Sequence, residues 1–137
     1  MSALNPAQIV QKMMDNDAFS QWLGIEVLEV GWGYCVLQMT VRPEMTNGFQ
    51  VAHGGITYSL ADSALAFASN SRGQHALSIE TSISHVSPVV AGDELRATAQ
   101  ERQSAKRLAR YAIQVTRNEE TVALFQGTVY KKDQPWI

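Results

Sequence analysis

Charged residues are scarce in this sequence: they account for 18% of its 137 residues, and the net charge is only −2. Proteins that bind nucleic acid depend on clustered cations, so nucleic acid is not an expected partner. Apolar residues make up 45% of the chain, more than a disordered protein contains. No apolar run approaches the roughly 20 residues that a membrane span requires. The composition predicts one folded domain, residues 1–137, without a membrane partner.

Cysteine is almost absent, because Cys35 is the single example. An intrachain disulfide is therefore excluded. Cys35 lies in an apolar stretch, where it is either a small buried side chain or a reactive thiol. The first residues also lack a basic segment followed by an apolar run, which is the pattern of a signal peptide. The expected location is the cytoplasm.

Two segments have the features of helices. Residues 1–23 form an N-terminal helical segment, because Asn5 is a favourable N-cap, a proline follows it and apolar residues recur at helical spacing. Gly24 is expected to end this segment. Residues 54–70 are apolar or small on most faces, which is typical of a buried helix. Asp62 is the only charged residue in this second segment.

The rest of the chain has the alternation and turn signals of β-strands. Six strands are expected, at residues 25–30, 34–41, 75–86, 93–103, 108–117 and 121–130. Consecutive strands with short turns favour an antiparallel sheet. The long apolar helix must bury itself against this single sheet. We therefore predict an α+β fold in which an antiparallel sheet is wrapped around a long central helix.

A loop enters the second helix through Gly54 and Gly55. The first turn of a helix has unpaired N–H groups and a partial positive charge, and glycine lets a ligand carbonyl approach them closely. Asp62 follows two turns later in an uncharged segment, where burying an unpaired carboxylate costs several kcal/mol. Asp62 is either a structural residue bonded to its neighbours, or a nucleophile or general base beside an electrophile held at the helix start.

Two further polar residues lie before this helix. His53 directly precedes it, a position typical of a cap or an orienting hydrogen-bond partner, and this interpretation is preferred to direct acid–base work. Asn47 precedes Gly48, and Asn-Gly is a common turn dipeptide. The side-chain amide of Asn47 has an alternative role, as a donor to a thioester oxygen or to a water molecule.

These residues occur at a spacing that resembles the hotdog-fold thioesterases of the phenylacetate-degradation type. The shared features are Asn47-Gly48, then His53-Gly54-Gly55, then Leu60-Ala61-Asp62 with the Asp nine positions after the His, followed by Ala91-Gly92-Asp93 and Val122-Ala123-Leu124-Phe125-Gln126-Gly127. The resemblance covers roughly residues 15–130. It implies a hotdog fold and hydrolysis of an acyl-CoA to a free acid and coenzyme A.

The resemblance also implies roles for individual residues. Asp62 matches the catalytic carboxylate, which attacks the thioester carbonyl or activates water. Gly54 matches the glycine whose N–H polarises the thioester oxygen. Asn47 matches an amide near the reacting carbonyl, and His53 a histidine that supports the loop. Ser78 occupies the position where some relatives have a hydroxyl group that helps, from the partner subunit, to position the water molecule.

Substrate binding and assembly follow from the same resemblance. Gly55 is expected to contact the substrate, and Lys106 and Arg107, with Arg110 nearby, are candidates for the CoA phosphates. A basic turn that is merely solvated is the alternative for these cations. The implied assembly is a homodimer that pairs into a homotetramer. No metal and no cofactor are expected, apart from the coenzyme A of the substrate.

One segment departs from the family pattern. Relatives commonly have Asn or Asp, an aromatic residue and Leu-Arg-Pro where this chain has Ser84-His85-Val86-Ser87-Pro88. His85 is either a strand-surface residue or a substrate contact.

The acyl group is not defined by the sequence, although the resemblance favours aryl or arylacetyl thioesters. Phe49, Tyr58 and Phe67 either pack in the core or line an acyl pocket. A hotdog-fold hydratase or dehydratase, and a non-catalytic acyl-CoA-binding module, are the alternative functions.

Overall fold

A long helix lies across one face of a six-stranded sheet in the computed structural model, which describes residues 3–137. Two short helices come first, α1 (Pro6–Asp15) and α2 (Ala18–Leu23), and the long helix is α3 (Gly54–Asn70). The strands are β1 (Glu26–Gly31), β2 (Tyr34–Thr40), β3 (Gln74–His85), β4 (Glu94–Ser104), β5 (Leu108–Arg117) and β6 (Glu120–Pro135). The predicted α+β hotdog architecture is confirmed. Within residues 3–137, no helix has the length and apolar character needed to cross a membrane.

The sheet has the strand order β1-β2-β4-β5-β6-β3, and every neighbouring pair is antiparallel. The strands β4, β5 and β6 follow one another as hairpins. The strand that comes directly after α3 in the chain pairs with β6 and becomes one edge of the sheet, while β1 is the other edge.

The helix α3 packs closely on the sheet because its residues are small. Cys35 Sγ is 3.4 Å from the carbonyl oxygen of Ala64. Leu65 lies so near the sheet that a Cβ atom added to Gly127 would be 2.5 Å from Leu65 Cδ2. Cys35 is fully buried, and burial raises the pKa of its thiol to about 12. Of the two roles considered for Cys35, the structure shows the buried one.

The N-terminal segment differs from the single helix predicted over residues 1–23, of which residues 1–2 lie outside the described chain. It is divided into α1 and α2 at Asn16 and Asp17. The Asp17 side chain accepts hydrogen bonds from the Ser20 N–H at 2.9 Å and the Ser20 hydroxyl at 2.6 Å. Such local side-chain bonds compete with continuous helix. Gly24 ends α2 with a left-handed φ of 75°, as predicted.

The last strand also differs from its predicted range of 121–130, because β6 continues to Pro135. Its final residues pair with the start of β3, where Ala76 lies opposite Lys131 and Gln74 opposite Pro135. Polar residues such as Lys131 gave no strand signal, and the pairing with β3 extends the strand beyond its local pattern.

Candidate active site

The loop before α3 is organised by Asn47. Its side-chain oxygen accepts hydrogen bonds from the Phe49 N–H at 2.8 Å and the Val51 N–H at 3.4 Å. Its backbone N–H donates to the Val51 carbonyl at 2.8 Å. The turn role considered for Asn47 is therefore present, and it occupies the amide oxygen. The amide nitrogen is the part of this side chain that remains for a substrate.

The first residues of α3 present the N–H groups that the sequence predicted. His53 is the N-cap residue, as predicted, but its side chain makes no capping hydrogen bond. The alternative role of this side chain, as an orienting hydrogen-bond partner, stays a prediction. Ile56 donates its N–H to the His53 carbonyl at 2.9 Å. Among residues 3–137, no backbone acceptor pairs with the N–H groups of Gly54 and Gly55. A Cβ atom on Gly55 would meet nothing within 4 Å, which shows that this helix start is open.

Asp62 lies on the one stripe of α3 that the sheet leaves uncovered. The stripe consists of Gly55, Ser59, Asp62 and Ala66, which follow one another at helical spacing and are exposed or half-buried. Burial raises the pKa of the Asp62 carboxyl above its usual value, and the negative charge of Asp17 raises it further. The shift has no contribution from a hydrogen bond within residues 3–137. Asp62 is thus a half-buried carboxylate that its own chain does not neutralise.

A chain of buried hydroxyl groups connects α2 to α3 beside Asp62. The Ser20 hydroxyl contacts Asp17 at 2.6 Å and the Ser63 hydroxyl at 2.8 Å. Both serines are buried. Ser63 directly follows Asp62 in the helix. These contacts hold Asp17 in place, and its negative charge adds to the effect of burial in raising the Asp62 pKa, which the sequence analysis missed. An Asp at a helix N-cap gives no sequence signal for this second effect.

Asp62 lies eight positions after Gly54 in α3. An α-helix rises 1.5 Å per residue, so the two positions are about 12 Å apart along the helix axis. Reacting groups must approach within roughly 3–3.5 Å. The N–H of Gly54 and the carboxylate of Asp62 in one chain therefore do not meet at a single thioester.

The remaining predicted site residues lie away from the helix start. Ser78 is exposed on the edge strand β3, opposite Val129 of β6. Lys106 is exposed in the turn between β4 and β5. Arg107 forms a 2.8 Å ion pair with Asp133 on the surface. The roles predicted for these residues stay predictions.

The three aromatic side chains have different surroundings. Phe67 is fully buried and belongs to the core. Tyr58 packs edge-on against Phe125, with ring centroids 5.2 Å apart, and its hydroxyl contacts Thr81. Phe49 is 89% exposed, so core packing is wrong for this residue within one chain. It occupies the loop that leads to α3, where none of residues 3–137 covers it.

Sequence reasoning did not find the cleft at the start of α3, which has a volume of about 320 Å³. Gly54 and Thr57 line it on the helix side, and residues 85–89 form the other wall. Arg117 holds this wall by donating to the Pro88 carbonyl at 2.9 Å. Its second partner is the Asp93 carboxylate at 2.8 Å. The sequence did contain one signal for this wall, because the motif Ala91-Gly92-Asp93 includes the Asp that binds Arg117.

Comparisons with known proteins agree with this fold. A family model described as the thioesterase superfamily matches residues 49–124. The chain is 42% identical over 125 residues to the acyl-coenzyme A thioesterase PaaI of Escherichia coli K12, covering 90% of this chain and 89% of that protein. The solved structure of the E. coli PaaI protein from the phenylacetic acid degradation operon superposes with a TM-score of 0.93, at 38% identity and 96% coverage of both chains.

A second similar protein comes from a different organism. A mutant structure of the phenylacetic acid degradation protein PaaI from Thermus thermophilus superposes with a TM-score of 0.82 at 38% identity. The match covers 85% of this chain and 100% of that one.

Proposed function

Since this chain belongs to the thioesterase superfamily, we propose that it hydrolyses acyl-CoA thioesters to a free acid and coenzyme A. The observation that carries the proposal is the stripe on α3. An open helix start can bind a carbonyl oxygen, and an unneutralised carboxylate lies on the same helix. The groups that the reaction needs are present, but two copies of the chain must supply them.

The edge strand β3 is the surface through which a second copy docks in this proposal. It is 12 residues long, and Leu77 and Ile79 are 62% and 60% exposed on it. A long unpaired edge with exposed apolar side chains is unfavourable in water unless another strand covers it. Phe49 adds a third exposed apolar side chain near the helix start.

A twofold axis at this edge explains how the site is completed. Two β3 strands related by a twofold axis run antiparallel, and so do the two α3 helices that cross them. The Gly54 N–H of one copy then faces the Asp62 carboxylate of the other. The residues around Asp62 on the uncovered stripe, Gly55, Ser59 and Ala66, are small. They leave room for a second helix or for the thioester arm of the substrate. The further pairing of dimers into a tetramer stays a prediction.

The proposed reaction needs one group that accepts a proton and one that donates a hydrogen bond to the oxyanion. The Gly54 N–H polarises the thioester carbonyl oxygen. The second copy's Asp62 takes a proton from water as the water oxygen bonds to the carbonyl carbon. When the tetrahedral intermediate collapses, the C–S bond breaks, and the coenzyme A thiolate receives the proton from Asp62. Ionised Asp62 is restored, and the products are the free acid and the thiol.

Asp62 has an alternative role as the nucleophile. Its oxygen would then attack the thioester carbonyl, expel the thiolate and form a mixed anhydride that water hydrolyses. A single turnover in ¹⁸O-labelled water tests the nucleophilic route, because label in the Asp62 carboxylate requires the anhydride. If water attacks the anhydride at the Asp62 carbonyl, label enters this carboxylate. Direct attack of water on the thioester leaves Asp62 unlabelled.

The proposed substrates are aryl or arylacetyl thioesters, with short- to medium-chain acyl-CoA as the broader class. The support is the similarity to E. coli PaaI, whose operon is named for phenylacetic acid degradation. We propose that the reaction needs no cofactor, because a carboxylate, a backbone N–H and water supply its groups. The cytoplasmic location stays a prediction. A free-thiol assay across phenylacetyl-, benzoyl-, hexanoyl- and acetyl-CoA measures the preference.

The test of this proposal is a mixed dimer. One chain carries Asp62→Asn and the other Gly54→Val, whose side chain blocks the approach to the helix start. Each variant alone is expected to lose about 10²–10⁴-fold in turnover. A hybrid purified through two different affinity tags contains one intact site, and it should recover about half of the wild-type rate.

The alternatives give different results in the same assay. If both groups of a site came from one chain, the hybrid would be as inactive as its parents. Thiol release that survives Asp62→Asn would contradict the catalytic assignment. Hydration of an enoyl-CoA without thiol release would instead favour a hydratase. Tight binding of acyl-CoA without either reaction would favour a binding module.

A further inference from the structure

The ring of His85 lies against the first residue of α3, although the reaction described above gives it no role. A Cβ atom built on Gly54 would be 3.1 Å from His85 Nε2 and 3.5 Å from His85 Cε1. In an α-helix, the Cα–Cβ bonds tilt toward the N-terminus, and the unpaired N–H groups of the first turn point the same way. The His85 ring therefore lies against the open first turn of α3, on the side to which a Gly54 side chain would project.

This position is fixed by the sheet. His85 is the last residue of β3 and lies opposite Ala123 of β6. The next residue, Val86, donates its N–H to the Val122 carbonyl at 2.8 Å. The ring lines the cleft of about 320 Å³ together with Gly54. Its backbone is paired on the β6 side, so the ring is presented to the cleft from a rigid element.

A group at this position can donate a hydrogen bond to an oxyanion held at the helix start. A carbonyl oxygen that becomes an oxyanion has room for more than one donor, and preorganised donors stabilise the charge that develops on it. Gly54 supplies one backbone N–H. An imidazole protonated at Nε2 supplies a second N–H from the side. Both donors come from the same chain, because His85 and Gly54 line one cleft.

We propose that His85 is a further catalytic residue, whose Nε2–H donates a hydrogen bond to the thioester carbonyl oxygen together with the Gly54 N–H. This assignment rests on the proposed function. His85 transfers no proton in this role; it stabilises the negative charge that the carbonyl oxygen gains when water or Asp62 attacks. Proton transfer stays with Asp62.

The first test compares His85→Phe, which keeps an aromatic ring without an N–H, with His85→Gln, whose amide nitrogen replaces Nε2. The substrate is phenylacetyl-CoA. His85→Phe should lower kcat by about 10²-fold with little change in KM, because the donor acts mainly on the transition state. His85→Gln should recover part of the lost kcat. Ser84→Ala, on the outer face of the same strand, is the matched control and should keep the wild-type rate.

The second test does not depend on turnover. The carbonyl stretch of ¹³C-labelled phenylacetyl-CoA is recorded by difference infrared spectroscopy when bound to Asp62→Asn. A polarised carbonyl absorbs at lower wavenumber. Adding His85→Phe in this background should move the band back to higher wavenumber, while adding Ser84→Ala should leave it in place. His85→Leu replaces His85→Phe if the latter does not fold.

The possible failures can be told apart. A wild-type protein that releases no thiol from any acyl-CoA contradicts the proposed function, whatever His85 does. A wild-type rate that depends on Asp62, with unchanged kcat and an unmoved carbonyl band in His85→Phe, contradicts only the role of His85. An increase in KM alone also contradicts it, since such a change indicates binding in the ground state.

Discussion

The two edges of the sheet are built differently. The β1 edge is six residues long, contains Glu26 and Glu29, and has a register shift at Leu28. The β3 edge is 12 residues long, and its most exposed apolar side chains, Leu77 and Ile79, are more exposed than their counterparts on β1. Shortness keeps an edge from pairing. Register shifts and acidic residues do not separate the two edges, because β3 also has register shifts and carries Glu80; length and exposed apolar side chains do.

This difference indicates which edge of the sheet is free to pair with a second copy of the chain. Helix α1 packs against β1, and the break at Asp17 turns α2 toward α3, so the β1 end of the sheet is combined with the chain's own helices. The β3 strand packs on α3 through one face, but it carries the exposed side chains of Leu77 and Ile79 and lies next to the cleft at the helix start. Assembly and chemistry are therefore expected at the β3 end, with stability and tuning at the β1 end.

The largest expected effect comes from placing charge on the β3 edge. Leu77→Lys combined with Ile79→Lys should prevent the pairing of two copies, because buried ammonium groups would face each other across the twofold axis. Turnover should fall by about 10³-fold, since the two halves of the site are no longer held together. Sedimentation analysis and thiol release measure the two effects.

The matched control is on the other edge. Val27→Lys combined with Leu28→Lys alters side chains that are 36% and 39% exposed on β1. Oligomeric state and turnover should remain those of the wild type. Equal losses from the two double variants would remove the distinction between the edges.

A smaller effect is expected where the β3 end contacts α3. Gly127→Ala places a Cβ atom 2.5 Å from Leu65 Cδ2, too close for two carbon atoms. The strain should lower the free energy of unfolding by about 1–3 kcal/mol. Gly31→Ala in β1 is the control, because its Cβ atom meets Tyr34 at an ordinary 3.7 Å. Thermal denaturation of both variants measures the difference, and similar midpoints would contradict the close contact.

A still smaller effect is expected from removing the influence of Asp17 on the Asp62 pKa. Asp17→Asn keeps an N-cap for α2 but removes the negative charge that raises the Asp62 pKa. Since Asp62 must be ionised to act, activity falls as pH drops through its pKa. In Asp17→Asn the acid limb of the kcat/KM profile should therefore move to lower pH. A limb that stays in place would show that Asp17 does not influence Asp62 during catalysis.

The smallest expected effect is on stability. A carboxyl group whose pKa is raised by folding favours the folded state most when protonated, so its contribution is lost as pH rises from the unfolded pKa through the higher folded pKa. Burial and Asp17 cause this shift for Asp62. Asp62→Asn cannot titrate and should melt above the wild type at neutral pH, with the gap closing at acid pH. Denaturation at several pH values measures it, and a lower melting temperature at neutral pH would contradict the prediction.

Some parts of the fold were predictable because their signals are local. The bounds of α3 came from a run of small and apolar residues between glycines and a polar turn, and the structure has Gly54–Asn70. The strand β5 likewise matches its predicted range of 108–117. The end of β6 at Pro135 was not predictable, because pairing with β3 decides it.

The site was predicted in its composition but not in its arrangement. The motif identified Gly54 and Asp62, yet it carried no information on the distance between them. The proximity of His85 to Gly54 was also hidden, since the two residues are 31 positions apart and meet only where β3 ends beside the helix start. The same holds for Asp17 and Asp62.

By itself, the sequence determined the elements and the reactive groups, because periodicity, capping residues and glycine positions act over a few neighbouring residues. The tertiary structure alone decided which edge of the sheet is bare, which stripe of α3 is uncovered and which side chains face the helix start. These features depend on pairing between distant strands. A helix of fixed rise also separates Gly54 from Asp62 by about 12 Å, and the proposed site between two copies of the chain follows from this separation.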